Sequence, residues 1–425
     1  MLEPRLLRLA VPETEARSHA ARIEHAVIDL VENVEASLGK TLFDYQRAAV
    51  GSAVTDVRVS PKHLLFYKTG AGKSLTALGM LHVWNIRDAV VITPPATFGQ
   101  WYQAAMQLGI NIECMSHAKF RMKKTLLSRK VAVIADEFHQ FGGHNGQGWK
   151  KLDRLALHLQ APLILASATP NYNDAERVYC IQHVLDPTSV RGGYLEFLYQ
   201  HCNTRQNPFG IEPLVDDDRP FRMYPDAAAY LAALPYVHYL ADDLVYQIVD
   251  VPVPALVPVE LETFGLNRRA EKMIASQIEE RHARVNLALV DDCGKVRQNI
   301  YEIFTDLARD TETPVLVFAA HATVADALGA RLHENQVKHA VVTGDTPTKK
   351  KAAIIEAFKA GEYDVLVGTA TLATGTDGLD KMCDHLVILD DTDDDALRRQ
   401  LVGRIMPRGA DTDATKKVVH RLVRQ

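Results

Sequence analysis

The chain has 425 residues, 47% hydrophobic and 24% charged, with a formal net charge of −5. That length suits two or three domains, and the balance is that of a globular protein rather than a disordered one. No apolar run approaches the ~20 residues that span a bilayer, and without a globally basic surface a polyanion partner would need a local basic groove.

Residues 1–40 read as a short strand (Leu6 to Val11) and an amphipathic helix packing on the next domain, with Ile23, Val27, Leu30, Val31 and Val34 at helical spacing and Gly39 as C-cap. The first 20 residues carry charges inside their apolar stretch and lack a signal-peptide core, so a cytoplasmic protein is expected. From 41 to 190 the runs "HLLFY", "AVVITPP", "VAVIADE" and "PLILASATP" alternate with helix-like segments. Short Val/Ile/Leu runs closed by polar or Gly/Pro loops are buried parallel strands of a βαβ sheet. Ligands of such sheets gather at the carboxyl ends of the strands, where Lys73, Thr93, Asp136, Glu137 and Ser167 stand. Over 191–312 the alternation stops. "LVYQIVDVPVPALVPVEL" is extended and Pro-interrupted, and a long polar helix former follows, predicting a largely helical insertion. From 313 to 425 a second block, "PVLVFAA", "HAVVTGD", "YDVLVGTA" and "HLVILDD", ends on a last strand, "KKVVHRLVRQ". The expected architecture is two doubly wound parallel α/β lobes with a helical insertion between them. Five cysteines, Cys114, Cys180, Cys202, Cys293 and Cys383, lie far apart without metal-ligand spacing and read as reduced, buried thiols.

"KTGAGKS" lies between a strand and a helix. A phosphate loop needs converging backbone N–H groups without a Cβ in the way, a lysine for the β/γ charge and a hydroxyl for magnesium. Gly70, Gly72, Lys73 and Ser74 meet those needs, although the full eight-residue pattern wants a glycine where Tyr67 stands. Downstream, "VAVIADEFHQ" delivers Asp136, able to hold magnesium, and Glu137, able to orient and deprotonate a water.

These elements, with others in order from Phe43 to Arg408, resemble a superfamily-2 helicase or translocase with two RecA-like lobes. The resemblance implies ATP and Mg2+ as cofactors. "FDYQRAAV" is similar to the adenine-reading element, with Gln46 as reader; "KTGAGKS" resembles motif I, so that Thr69 joins Gly70, Gly72, Lys73 and Ser74; "TPPATFGQW" resembles motif Ia, setting Thr93 along a nucleic-acid backbone. "DEFH" resembles motif II, with His139 as a link, and "SATPNYN" motif III, with Ser167 and Thr169 coupling the two sites. "TATLATGTDG" resembles motif V, setting Thr369 towards nucleic acid and Gly375 and Asp377 towards nucleotide. "QLVGRIMPR" resembles motif VI, with Arg404 and Arg408 as arginine fingers. Three residues separate these arginines where the family has two, and Pro407 takes the expected place, so Arg404 is the firmer assignment.

The second half, from "CGKVRQNIYEIF" through "VVTGDTPTKKKAAIIEAF" to "KKVVHRLV", resembles the Swi/Snf-type branch, although "DEFH" and "SATP" depart from its commoner forms. The resemblance implies a minimal bacterial or phage motor, monomeric, tracking along duplex DNA in the cytoplasm. Candidate phosphate contacts are Lys119, Arg121, Lys123 and Lys124 of "KFRMKK" and Lys349, Lys350 and Lys351 of "TKKK", each of which taken alone also fits a solvated surface. Phe98 and Trp101 suit core packing better than base stacking. "FGGHNGQGW" has no assigned role. A strand-separating helicase and a nucleotide-gated binding module with vestigial hydrolysis are the competing readings.

Overall fold

The computed structural model describes residues 13–56, 58–68, 70–123, 131–168, 174–207, 210–214, 220–240, 247–253, 276, 313–373, 378–389, 395–406 and 417–424. The expected strand from Leu6 to Val11, and Thr69, Lys124, Thr169, Gly375, Asp377 and Arg408, lie outside them.

The chain divides into two compact units, residues 1–67 with 72–240 and residues 68–71 with 241–425. The first contains α1 (Glu13–Leu38), α2 (Asp44–Thr55), β1 (Lys62–Tyr67), α3 (Lys73–Val83), β2 (Asp88–Ile92), α4 (Phe98–Gln107), β3 (Asn111–Met115), α5 (His117–Met122), β4 (Ala132–Ala135), α6 (Gln147–Asp153), β5 (Leu163–Ser167), α7 (Ala175–Leu185), α8 (Gly193–His201), β6 (Thr204–Asn207), β7 (Gly210–Pro213), α9 (Ala227–Ala232) and β8 (Val237–Leu240). Its six-stranded sheet runs β3-β2-β4-β5-β1-β8, every pair parallel. The second unit contains β9 (Gln247–Val253), β10 (Val315–Phe318), α10 (Ala322–Glu334), β11 (His339–Val342), α11 (Thr348–Lys359), β12 (Val365–Gly368), β13 (His385–Ile388), α12 (Asp395–Ile405) and β14 (Val418–Arg424). Its sheet runs β11-β12-β10-β13-β14-β9, again all parallel. These are two RecA-like α/β lobes.

Strands β1, β4, β5, β10 and β12 are buried at every position. Burial on both faces is why they read as continuous apolar runs without alternation. Helix α1 lays Val31, Val34 and Leu38 into the core, whereas Leu30 faces outward. It approaches its neighbours where they carry glycine. A Cβ on Gly51 would meet Val27 at 3.1 Å, and one on Gly79 would meet Val34 at 3.2 Å. Gly39, at φ +61°, ends the helix in the left-handed conformation that glycine supplies. Four cysteines, Cys114, Cys180, Cys202 and Cys383, are free and buried.

The insertion predicted over 191–312 needs correction where it is described. It gives an edge strand to each sheet: β8 pairs with β1, and β9 with β14. Pro252 in β9 reads as an interruption, but an edge strand tolerates proline because one side of it makes no ladder. Residues 254–275 and 277–312 of the insertion lie outside the described residues.

A buried polar chain fastens β8 to β1. Asp56 Oδ2 accepts from His63 Nε2–H at 2.9 Å, and His63 Nδ1 lies 2.9 Å from His238 Nε2. Since the carboxylate takes the Nε2 proton of His63, His63 Nδ1 accepts and His238 Nε2–H donates. Arg58 clamps Asp56 with both Nε and a terminal nitrogen and lies 3.4 Å over the Tyr236 ring. Burial pulls both imidazoles down to about 4. Neutral rings are thus favoured by the fold, and the unfolded chain takes up more protons between pH 6.5 and 4. The first unit's stability is therefore complete above about pH 6.5 and falls as the pH drops towards 4. Urea midpoints measured across that range should fall with pH, and His238→Asn should flatten the fall; a wild-type profile without slope contradicts the neutral chain.

Candidate active site

The site is built at the carboxyl end of the first sheet. Strand β1 ends at Tyr67, the residue standing where the phosphate-loop pattern has glycine. Its ring is buried edge-on against Tyr45, with centroids 5.2 Å apart, and its hydroxyl donates to the Tyr45 carbonyl at 3.2 Å. Tyr67 thus belongs to the strand, and the loop turns only after it. Gly70 and Gly72 sit at φ +79° and +74°, where any other residue is strained. A Cβ on Gly72 would also lie 2.3 Å from Gln46 Nε2. Gln46 is buried, and its Oε1 accepts from the Phe43 N–H at 3.0 Å. The structure therefore places the predicted adenine reader against the phosphate loop. Lys73 opens α3 and donates to the Tyr67 carbonyl at 3.3 Å, with Ser74 next on the same turn. The N–H groups of that first turn, together with the glycines, could receive an anion.

Asp136 follows β4 and is buried. Its Oδ2 accepts from the Thr93 hydroxyl at 2.7 Å and from Trp101 Nε1–H at 3.4 Å, and its Oδ1 accepts from the Glu137 N–H at 3.0 Å. Burial pushes the Asp136 pKa up and the Glu137 charge pushes it further, while Lys73 and the Thr93 bond oppose them. Two carboxylates against one lysine leave negative charge uncompensated in a dry place, which fits a cation. Among the described residues no group of three or more His, Cys, Asp and Glu could hold a metal alone. A metal beside Asp136 would draw its remaining ligands from the Ser74 hydroxyl, phosphate oxygens and water, as Mg2+ characteristically does.

Glu137 has φ +47°, an uncommon conformation for a side chain of its size. Its Oε2 is buried and makes no hydrogen bond. His139 Nδ1 lies 3.4 Å from that oxygen and 3.3 Å from Ser167 Oγ, so His139 stands between Glu137 and Ser167. Arg177 extends the cluster by donating to the His139 carbonyl.

One predicted nucleic-acid contact of the first unit is corrected. Thr93 is fully buried with its hydroxyl on Asp136 and Thr97, so it holds the carboxylate instead of a phosphate. Lys123 is half-buried and lies 3.5 Å from Glu113. Lys119 and Arg121 are exposed as expected. In the second unit, Lys349 and Lys350 are exposed. Lys351 is half-buried and turned inward: it donates to the Thr371 carbonyl, and burial followed by the Arg404 charge lowers its pKa. Thr369 is buried, 3.4 Å from the Thr371 hydroxyl. Arg404 is buried on α12.

Sequence reasoning missed three contributors. Trp101 is core, as expected, but also a donor to Asp136. His117 donates from Nε2 to the Asp136 carbonyl at 2.9 Å. Lys151 donates to the carbonyls of Phe120, Arg121 and Lys123 and so caps the end of α5. The unassigned loop "FGGHNGQGW" is docked on α7: Glu176 Oε1 accepts from His144 N–H at 2.8 Å and from its ring, and a Cβ on Gly143 would strike Glu176.

Residues 295–409 match the family "helicase conserved C-terminal domain". No curated protein matches the chain. Among solved structures, Saccharomyces cerevisiae Dbp5 bound to RNA and ADP BeF3 is similar with TM-score 0.55 and 15% identity, over 93% of this chain and 87% of that one. A variant of that protein with the same ligands gives 0.54 and 14%, over 93% and 87%. The Sulfolobus solfataricus SWI2/SNF2 ATPase core in complex with double-stranded DNA gives 0.40 and 13%, over 91% and 89%.

Gly72→Ala should weaken binding of a fluorescent ATP analogue at least tenfold, since the added Cβ meets both strain and Gln46. Affinity within twofold of wild type would show that the loop does not carry the nucleotide.

Proposed function

We propose that this chain, a superfamily-2 helicase core of two RecA-like lobes, hydrolyses ATP with Mg2+ and uses the reaction to move along nucleic acid, with duplex DNA as its track. The observation that carries the reading is buried Asp136 with half-buried Glu137 next to it, near Lys73, at the end of β4 in the sheet whose strand β1 leads into the phosphate loop. A phosphate loop alone would serve binding. A second carboxylate whose Oε2 makes no hydrogen bond is what hydrolysis requires, because a water must be oriented and must give up its proton.

Each residue has a defined task on this reading. The glycines of the loop and the first turn of α3 receive the phosphates, and Lys73 neutralises their charge. Asp136, with Ser74, would hold Mg2+, which when bound would supply Lewis-acid stabilisation of the phosphate charge. Thr93, Trp101 and the Glu137 N–H keep the Asp136 carboxylate in one orientation. Glu137 accepts the proton of the attacking water. His139 and Ser167 report the state of Glu137 to the segment after β5. Arg404 serves the γ-phosphate as the arginine finger, a role worth ~10³–10⁵ in rate in related NTPases.

The exposed cations Lys119 and Arg121 on α5 and Lys150 and Arg154 on or beside α6 form a local basic surface, and Lys349 and Lys350 give α11 another. Such a surface grips phosphates without reading sequence. The duplex-DNA track rests on the Swi/Snf-like second half of the sequence. An RNA track is the second reading, favoured by the fold similarity to an RNA-bound protein.

Phosphate release from ATP, measured with single-stranded DNA, duplex DNA and RNA, tests the reading. Duplex DNA should raise the rate most; stimulation by RNA alone would transfer the proposal to RNA, and no stimulation by any of the three would end it. Glu137→Gln should abolish turnover while ATP still binds, and Arg404→Ala should lower the stimulated rate by ~10³. Arg121→Ala should weaken binding alike on all sequences and lower the slope of log affinity against log salt by about one.

A further inference from the structure

We propose that His117 is a positioning residue that couples occupancy of α5 by nucleic-acid phosphate to the geometry of the Asp136–Glu137 pair; this rests on the function proposed above. The link is a single peptide group. His117 is the first residue of α5, and its Nε2–H donates to the Asp136 carbonyl at 2.9 Å. That carbonyl belongs to the peptide joining the two carboxylates. The N–H of the same peptide donates to Asp136 Oδ1 at 3.0 Å. The peptide is planar, so it is held at both ends, its oxygen by α5 and its hydrogen by the carboxylate itself. Tilting the plane changes the torsions on either side, Asp136 ψ and Glu137 φ. The latter already stands at the uncommon value of +47°. A displacement of α5 therefore reorients Glu137 directly.

Helix α5 is built to pass on such a displacement. Ser116 Oγ accepts from the Lys119 N–H at 3.1 Å at its start, and Lys151 takes three carbonyls at its end. Its exposed side chains are Ala118, Lys119, Arg121 and Met122, the two cations among them open to a phosphate, and its buried ones are His117 and Phe120. Phe120 and His117 both pack on Phe141, with centroids 5.8 and 5.0 Å away, and Phe141 stacks on Phe138 at 5.9 Å. Phe138 follows Glu137 in the chain. The aromatic contacts therefore run parallel to the hydrogen bond and end beside the same residue. This route approaches the carboxylates from β3 and α5, whereas His139 and Ser167 approach from β5.

The test compares wild type, His117→Phe and His117→Gln. Phenylalanine keeps the ring but has no donor; glutamine carries an amide N–H at a similar reach. For each, phosphate release is measured with and without saturating duplex DNA, alongside the DNA dissociation constant. His117→Phe should lose at least tenfold of the DNA stimulation, with its dissociation constant changed less than twofold, and His117→Gln should recover most of it. If the phenylalanine variant does not fold, His117→Asn, whose shorter amide falls out of reach of the carbonyl, should show the same loss. Full stimulation of the donor-less variant, or a loss explained by weaker DNA binding, or no recovery with glutamine, overturns the coupling and leaves the proposed function standing. A wild-type rate that no nucleic acid raises overturns both.

Discussion

The Asp136 carboxylate is withdrawn from water at the end of β4, and burying a charge is costly unless partners replace the lost solvent. Thr93, Trp101 and the Glu137 N–H supply three hydrogen bonds, and Lys73 supplies charge. These partners come from the ends of β2 and β4 and from α3 and α4. The parallel sheet is what brings segments so distant in sequence to one edge. Even so, burial and the Glu137 charge still push its pKa up. The protein alone leaves the site short of positive charge, a deficit that a nucleotide arriving with a divalent ion would correct on the proposed function. A site incomplete without its ligand is one whose geometry the ligand can change.

The same economy of connection appears around Glu137. Its neighbours on either side in the chain are fixed, Asp136 by hydrogen bonds and Phe138 by packing on Phe141 and Trp149. Its own backbone takes a conformation of low intrinsic preference. Residues held this way are retained where the surroundings over-determine them, and such positions cluster at functional sites. His139, Ser167 and Arg177 close one side of the cluster and His117 the other.

Much of this was legible in the residues because deeply buried parallel strands announce themselves. β1, β2, β4, β5 and the strands of the second lobe are apolar runs, and the chemistry sits directly after them. The edges were not legible. β3, "NIECM", alternates exposed and buried positions, so its apolar content is diluted by Asn111 and Glu113. Missing β3 hid α5, and with it the place of His117. β8 is four residues long and is fastened by a half-buried histidine instead of an aliphatic run, while β9 contains proline. Thr93 and Lys351 illustrate another limit: motif position gives the neighbourhood of a side chain but not its direction. A hydroxyl or amine near a ligand path can equally turn inward to hold another side chain or a carbonyl.

The most direct measurement is the position of the metal. In crystals grown with Mn2+ in place of Mg2+ and a non-hydrolysable ATP analogue, anomalous scattering should locate one ion beside Asp136 and the Ser74 hydroxyl, touching the outer phosphates, with the triphosphate wrapped by Gly70 to Ser74. A metal peak remote from Asp136, or a nucleotide seated anywhere other than that loop, would contradict the site as described.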